Sequence, residues 1–121
     1  QAAKAGAGAE TEALIKTVRA WAGAWARKDV SAYLAHYAKD FKTPKGESRG
    51  DWEKARRQRI SAPKKIEVGI GSPKVSISGD NAATVSFRQI YRYDVIKTSG
   101  TKTLIMVKSN EKWLIREERV N

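Results

Sequence analysis

The sequence predicts an α+β domain in which three N-terminal helices pack in the concave face of a curved antiparallel sheet. Two observations carry this. The first half shows apolar positions recurring at helical spacing, and the second half shows three closely spaced segments of period-2 alternation, Ala83 to Ile96, Thr101 to Lys108 and Lys112 to Val120. Short connections between consecutive strands make them antiparallel, and a sheet with one apolar face must cover it, here with the helices.

Leu14, Val18, Trp21 and Trp25, with Ala22 beside them, form one continuous stripe and predict a first helix from Glu10, capped by Thr11 or Glu10. It ends at Arg27 and Lys28, cations placed where a helix C-terminus favours them. Asp29 is an N-cap for a short second helix, Val30 to Ala38, with Val30, Tyr33, Leu34 and Tyr37 as its apolar set. Thr43, Pro44, Lys45 and Gly46 make a loop, after which Asp51, or Ser48 one turn earlier, caps a third helix from Trp52 to Ile60.

Ile66, Val68 and Ile70 alternate with Glu67, Gly69 and Gly71, and the pair of glycines with Pro73 predicts a bulge or bend before Val75 and Ile77 resume. Gly79, Asp80 and Asn81 form a turn. The long strand that follows places Val85, Phe87, Gln89, Tyr91, Tyr93 and Val95 on one face. Thr98, Ser99 and Gly100 are expected to turn into the next strand, and Ser109, Asn110 and Glu111 into the last, with Trp113, Ile115, Glu117 and Arg119 on one side.

Length and composition bound what such a chain does. Its 121 residues suit a single core. Residues 1–9, nearly all Ala and Gly, are expected to be a flexible leader or linker end, and residues 10–121 the folded domain, cut from a longer chain or left after signal removal. No apolar run reaches the roughly 20 residues of a membrane-spanning helix. The absence of Cys excludes disulfides, thiolate metal sites and a cysteine nucleophile. With 24 Lys and Arg against 13 Asp and Glu, the net charge of +11 attracts anions, although most of it is expected to lie on solvated faces.

Several residues are candidates for chemistry. Gln89 and Glu117 interrupt otherwise apolar rows, so with Tyr33, Tyr37, Phe87, Tyr91 and Trp113 they outline a candidate pocket; the bland alternative is a satisfied contact, such as Glu117 with Arg59 or Arg49. Arg49, Arg56, Arg57 and Arg59, with Lys54 and Trp52, make the third helix the best anion site, for carboxylates or phosphates gripped in a bidentate way. His36 is the one histidine, so acid–base chemistry near neutral pH would use it, with Tyr91 or Glu117; a partly exposed helix histidine without catalytic duty is the competing reading. No ligand spacing for a metal and no phosphate loop is present, so neither metal nor cofactor is expected. Basic charge without a recognised motif supports no specific nucleic-acid binding. Ile90, Ile96, Leu104 or Met106 on the outer face would serve a homodimer.

Trp21 to Trp25, then Lys28, Asp29, Tyr33, Leu34, His36 and Tyr37, then Phe41 and Ser48 to Trp52, followed by the terminal strands, resemble the nuclear transport factor 2-like superfamily, which includes ketosteroid isomerase and the SnoaL-like cyclases. Val85 to Tyr91, Lys102 to Leu104 and Lys112 to Glu117 look most like the C-terminal accessory domain of bacterial L,D-transpeptidase-like envelope proteins. The resemblance implies a cone-shaped fold, a periplasmic or cell-envelope location and a non-catalytic role, binding an anionic small molecule, peptide or peptidoglycan fragment or mediating self-association. The transpeptidase chemistry itself needs a Cys that this chain lacks. The alternative that the superfamily implies is a small SnoaL-like or ketosteroid isomerase-like enzyme.

Overall fold

The computed structural model describes residues 2–120, with side chains from Gly8 onward. Three helices, α1 (Ala2–Ala26), α2 (Val30–Ala35) and α3 (Arg49–Ser61), precede one antiparallel sheet of β1 (Ile66–Ile77), β2 (Ala82–Tyr93), β3 (Ile96–Ser109) and β4 (Lys112–Val120), in the order β1-β2-β3-β4. α1 begins well before the predicted cap at Glu10 or Thr11. The Ala-rich stretch from Ala2 to Ala9 continues the helix that the apolar stripe nucleates, because Ala has the best helix propensity and propagation costs little once a nucleus exists.

The stripe is the helix's buried face: Leu14, Val18, Trp21 and Trp25 are each at most 1% exposed. α1 ends in a reversal at Lys28, which adopts a left-handed backbone with φ 62°, while the Asp29 amide bonds back to the Ala24 carbonyl at 2.9 Å. The Asp29 carboxylate then accepts from the Ala32 amide and starts α2. α2 is shorter than predicted, closing at Ala35. Tyr37 leaves the helix to form a parallel bridge with Ile115, drawn off by the free edge of β4. At α3 Ser48 is the cap, accepting from the Asp51 amide, and Asp51 sits in the first turn.

The sheet supports the predicted alternation and corrects its phase in two places. The bulge expected from Gly69, Gly71 and Pro73 lies between Gly71 and Lys74, where the β1–β2 register shifts. The β2–β3 hairpin, however, turns at Asp94 and Val95, not at Thr98 to Gly100. Tyr93 pairs with Ile96, and Asp94 takes φ 52°, which Asp tolerates better than most residues. Its carboxylate accepts from the Lys64 and Lys65 amides at 2.9 and 3.1 Å and so fixes the tip. Val95, expected on the inner face, is 97% exposed at that tip.

The second correction is a bulge in β4. Ile105 pairs with Glu117 but Met106 pairs with Ile115, so Arg116 is an extra residue and every side chain beyond it changes face. Trp113 and Ile115 point inward as predicted; after the bulge it is Glu118, not Glu117, that does so. On β3 the shorter strand prediction gave the wrong outer face as well: Leu104 and Met106 are fully buried in the concave core, whereas Ile105 and Val107 lie on the convex side. Leu104→Ala is therefore expected to lower unfolding stability by about 2–5 kcal/mol in a urea titration, and Ile105→Ala by a small fraction of that.

Candidate functional site

The concave face collects aromatic rings around a small polar hub. Trp21, Trp25, Tyr33, Tyr37, Phe41, Trp52, Phe87 and Tyr91 are all buried and pack in successive ring pairs, among them Trp25–Tyr91 at 4.6 Å and Phe41–Trp52 at 4.7 Å between centroids. Into this shell the phase change at Arg116 delivers the Glu118 carboxylate. Its side chain is 7% exposed, and it meets Arg56 from α3 at 3.2 Å and Lys102 from β3 at 3.5 Å.

Tyr37 completes the hub, its hydroxyl 3.2 Å from Glu118 Oε2, 2.9 Å from the Tyr33 hydroxyl and 3.0 Å from Trp21 Nε1, which donates to it. Arg56 donates to the Tyr33 hydroxyl at 3.2 Å. Each tyrosine has one proton, so the consistent order is Arg56 donating to Tyr33, Tyr33 to Tyr37, and Tyr37 to the carboxylate. Three side chains, Arg56, Lys102 and Tyr37, contact the carboxylate directly, and Tyr33 and Trp21 join the network through the tyrosine hydroxyls.

Burial governs the ionisation of these groups. It pushes Tyr37 well above its ordinary value, and the Glu118 charge adds to the effect. Tyr33 is also raised by burial, partly offset by Arg56. Lys102 is lowered by burial against the attraction of Glu118, and its ammonium lies 5.6 and 5.7 Å from the Trp21 and Trp25 rings, whose faces favour a cation.

Above the hub opens a cleft of about 450 Å³, lined by Arg56, Arg59, Gln89, Lys102 and Glu118 with the Thr98 to Thr101 stretch of β3. Gly100 faces Gln89 across the β2–β3 ladder, and a Cβ there would meet nothing within 4 Å, so the missing side chain is part of the opening. Arg59 lies over the Tyr91 ring at 5.6 Å and makes no ion pair among the described residues. Gln89 Oε1 is buried without a hydrogen-bond partner. The cleft thus offers three cations and one carboxylate already held by two of them.

The candidate residues separate into distinct places. Gln89, Arg56 and Arg59 line this cleft; Tyr33, Tyr37, Phe87 and Tyr91 lie beneath it in the packed shell. Trp113 is at the other end of β4, beside a different cleft of about 420 Å³ that His36 also lines, with His36 Nδ1 2.8 Å from the Ala32 carbonyl. Glu117 is on the convex face, paired with Arg119 at 2.8 Å, an arrangement that lowers its pKa through that hydrogen bond. Arg49 is committed to Glu53 and the Ala38 carbonyl, and Arg57 is exposed away from the cleft. Sequence reasoning missed Glu118 and Lys102 as site residues. Lys102 was visible as a charged interruption between Gly100 and Leu104, but the misplaced turn hid its face; Glu118 carried no signal, because nothing in the sequence marks Arg116 as a bulge.

Among known proteins, the family described as the Cds6 C-terminal NTF2-like domain matches residues 13–119. The chain belongs to this family. The NTF2-like domain is similar to Bd1075 of Bdellovibrio bacteriovorus, with 26% identity and a TM-score of 0.79 over 88% of this chain. A variant of Pgp2, the helical cell shape determining protein of Campylobacter jejuni, matches at 17% identity and TM-score 0.78, also over 88% of this chain. The domain spans 38% of the Bd1075 chain and 39% of the Pgp2 chain. A putative dehydratase of the NTF2-like family from Streptomyces avermitilis shares the fold at TM-score 0.81 and 12% identity, over 93% of this chain and 95% of its own. No curated protein matches the sequence.

Glu118→Ala is expected to cost about 3–5 kcal/mol of stability, since it leaves two cations buried without their anion, while Glu117→Ala stays within about 0.5 kcal/mol; chemical denaturation separates the two. The tyrosines set an alkaline limit. With folded pKa values above the unfolded 10.0, Tyr33 and Tyr37 hold protons in the native state that the unfolded chain releases, so stability falls as pH rises beyond 10.0. Lys102 works in the opposite direction just below 10.5, where the unfolded chain binds the proton more tightly. Tyr37→Phe is expected to weaken the loss on the alkaline side, measured as urea midpoints from neutral pH to about pH 12.

Proposed function

We propose that this NTF2-like domain is a non-catalytic accessory module of a bacterial cell-envelope protein, and that its concave cleft takes up an anionic ligand such as a peptide or wall fragment. The observation that carries this is the excess of cations in the cleft. Arg56 and Lys102 are shared with the Glu118 carboxylate, and Arg59, exposed and with its guanidinium carbon 5.6 Å from the Tyr91 ring centroid, remains for an incoming anion.

The envelope setting rests on family membership and on similarity to a protein named as a cell shape determinant, in which the matching region is a minor part of the chain. The non-catalytic role is supported by the scatter of the acid–base candidates. His36 lines a separate cleft, Tyr91 is packed between Trp25 and Tyr93 under Arg59, and Glu117 is on the opposite face of the sheet. Acid–base catalysis requires such groups to converge on one substrate within hydrogen-bond reach. Glu118 is inside the cleft, but its oxygens are already engaged by Arg56, Lys102 and Tyr37.

Titration of the domain with soluble muropeptides, followed by calorimetry, tests this proposal. Arg59→Gln removes an exposed cation and Gly100→Leu fills the opening at a position with free space, so neither disturbs the core. Each is expected to weaken binding about tenfold or more, the value of one charge-assisted hydrogen bond or of a blocked site. Wild-type affinity in both variants would remove the cleft from the account.

A further inference from the structure

The β2–β3 hairpin ends on apolar residues where its backbone calls for others. A two-residue loop with positive φ at its first position ordinarily takes Gly or Asn there and a polar residue next. Here the pair is Asp94, at φ 52°, and Val95, which is 97% exposed; Ile96 after it is 45% exposed. The other two hairpins turn on polar residues, through Gly79 to Asn81 and through Asn110 and Glu111. The apolar tip is nevertheless held firmly. The Asp94 carboxylate accepts from the Lys64 and Lys65 amides, and the Asp94 amide donates to the Lys65 carbonyl. A lone exposed valine is ordinary on a protein surface. Two successive apolar residues on a rigid tip, set there against turn chemistry, mark a contact.

The surroundings of the tip select the partner. Lys64 and Lys65 lie beside Asp94, and Arg92 and Lys97 pair with each other across the ladder one step before the turn. All four are exposed. Glu67 meets Lys65 at 3.6 Å and Arg92 at 3.9 Å, while Lys64 and Lys97 make no ion pair among the described residues. Four cations thus surround the tip against two carboxylates, and that of Asp94 is taken up by backbone amides. Two side chains protruding from a turn fall far short of the roughly 800 Å² that each partner gives to a stable protein interface. They suit a soft surface that is anionic above and apolar below, where a short insertion and a few cations act together.

We infer that the β2–β3 tip docks on anionic phospholipid, with Val95 and Ile96 entering the acyl boundary and Lys64, Lys65, Arg92 and Lys97 meeting the headgroups. Long Lys and Arg stems let the charges stay at headgroup level while the tip sinks below them. The inference goes beyond the cleft reading and is independent of it, since none of these six residues lines the cleft that holds Arg59.

The absence of Cys makes the test direct. Val95→Cys at the tip and Glu111→Cys at the opposite end of β3 each give one thiol for an environment-sensitive NBD label. Each is titrated with vesicles of phosphatidylcholine, alone or with about a third phosphatidylglycerol. The tip label is expected to brighten and shift to the blue with the anionic vesicles only, and the control label to stay aqueous. In co-sedimentation of unlabelled protein, Val95→Ser with Ile96→Thr is expected to weaken binding about tenfold. Lys64→Gln with Lys97→Gln is expected to weaken it about twentyfold or more, roughly fivefold for each cation. Circular dichroism checks that each variant folds, and the labels decide alone where one does not. Equal binding by the wild type and the Val95 and Ile96 variant, or both labels responding alike, would overturn the inference, because the overall charge of +11 would then account for adsorption. Failure to bind either vesicle would overturn it too. So would a tip label that responds to protein concentration without lipid, which would make a second copy of the chain the partner.

Discussion

The Glu118 carboxylate is the interaction on which the inside of this domain depends. A carboxylate taken out of water is stable only where several donors replace its hydration, and here they come from separate parts of the chain: Arg56 on α3, Lys102 on β3, and Tyr37 beyond the end of α2, itself held by Trp21 on α1. Hydrophobic packing alone would let α2 and α3 slide over the sheet. The directional contacts to one anion fix where each helix sits, and with that the position of Arg59, one turn along α3 from Arg56.

The same hub explains why a basic chain can hold cations inside. Arg56 and Lys102 are desolvated beside Glu118, and their remaining faces rest on Trp52 and on the Trp21–Trp25 pair. The aromatic shell therefore has two duties: it supplies most of the buried apolar surface, and it presents negative ring faces to side chains that would otherwise need water. Other basic residues, such as Lys54 and Arg57 on the outer side of α3, are exposed.

Much of this was legible in the sequence. The Leu14, Val18, Trp21, Trp25 stripe and the alternation in β2 needed no tertiary information, because helix and strand periods are written directly in apolar spacing. Arg56, Arg59 and Gln89 were found as a basic helix and a polar break in an apolar row. What failed were matters of phase. Thr98, Ser99 and Gly100 have turn chemistry yet lie in a strand, since the left-handed conformation is taken by Asp94, whose carboxylate is locked by amides about thirty residues away in sequence. Arg116 looks like any strand residue, and one extra position there exchanged Glu117 for Glu118. Single-residue shifts are decided by pairing between strands, which local composition does not encode.

The bridge between Tyr37 and Ile115 has an effect beyond shaping the site. The Ala38 and Lys42 amides bond to the Ile115 and Arg116 carbonyls, and the Ile115 amide to the His36 carbonyl, so the segment after α2 occupies the outer rim of β4. At the opposite rim β1 carries a register break, Pro73 and Lys74, with Ser72 in a left-handed conformation. Both rims of the sheet are thereby poor templates for an incoming strand. Edge-to-edge pairing with a strand of another molecule would therefore find little continuous free backbone at either rim.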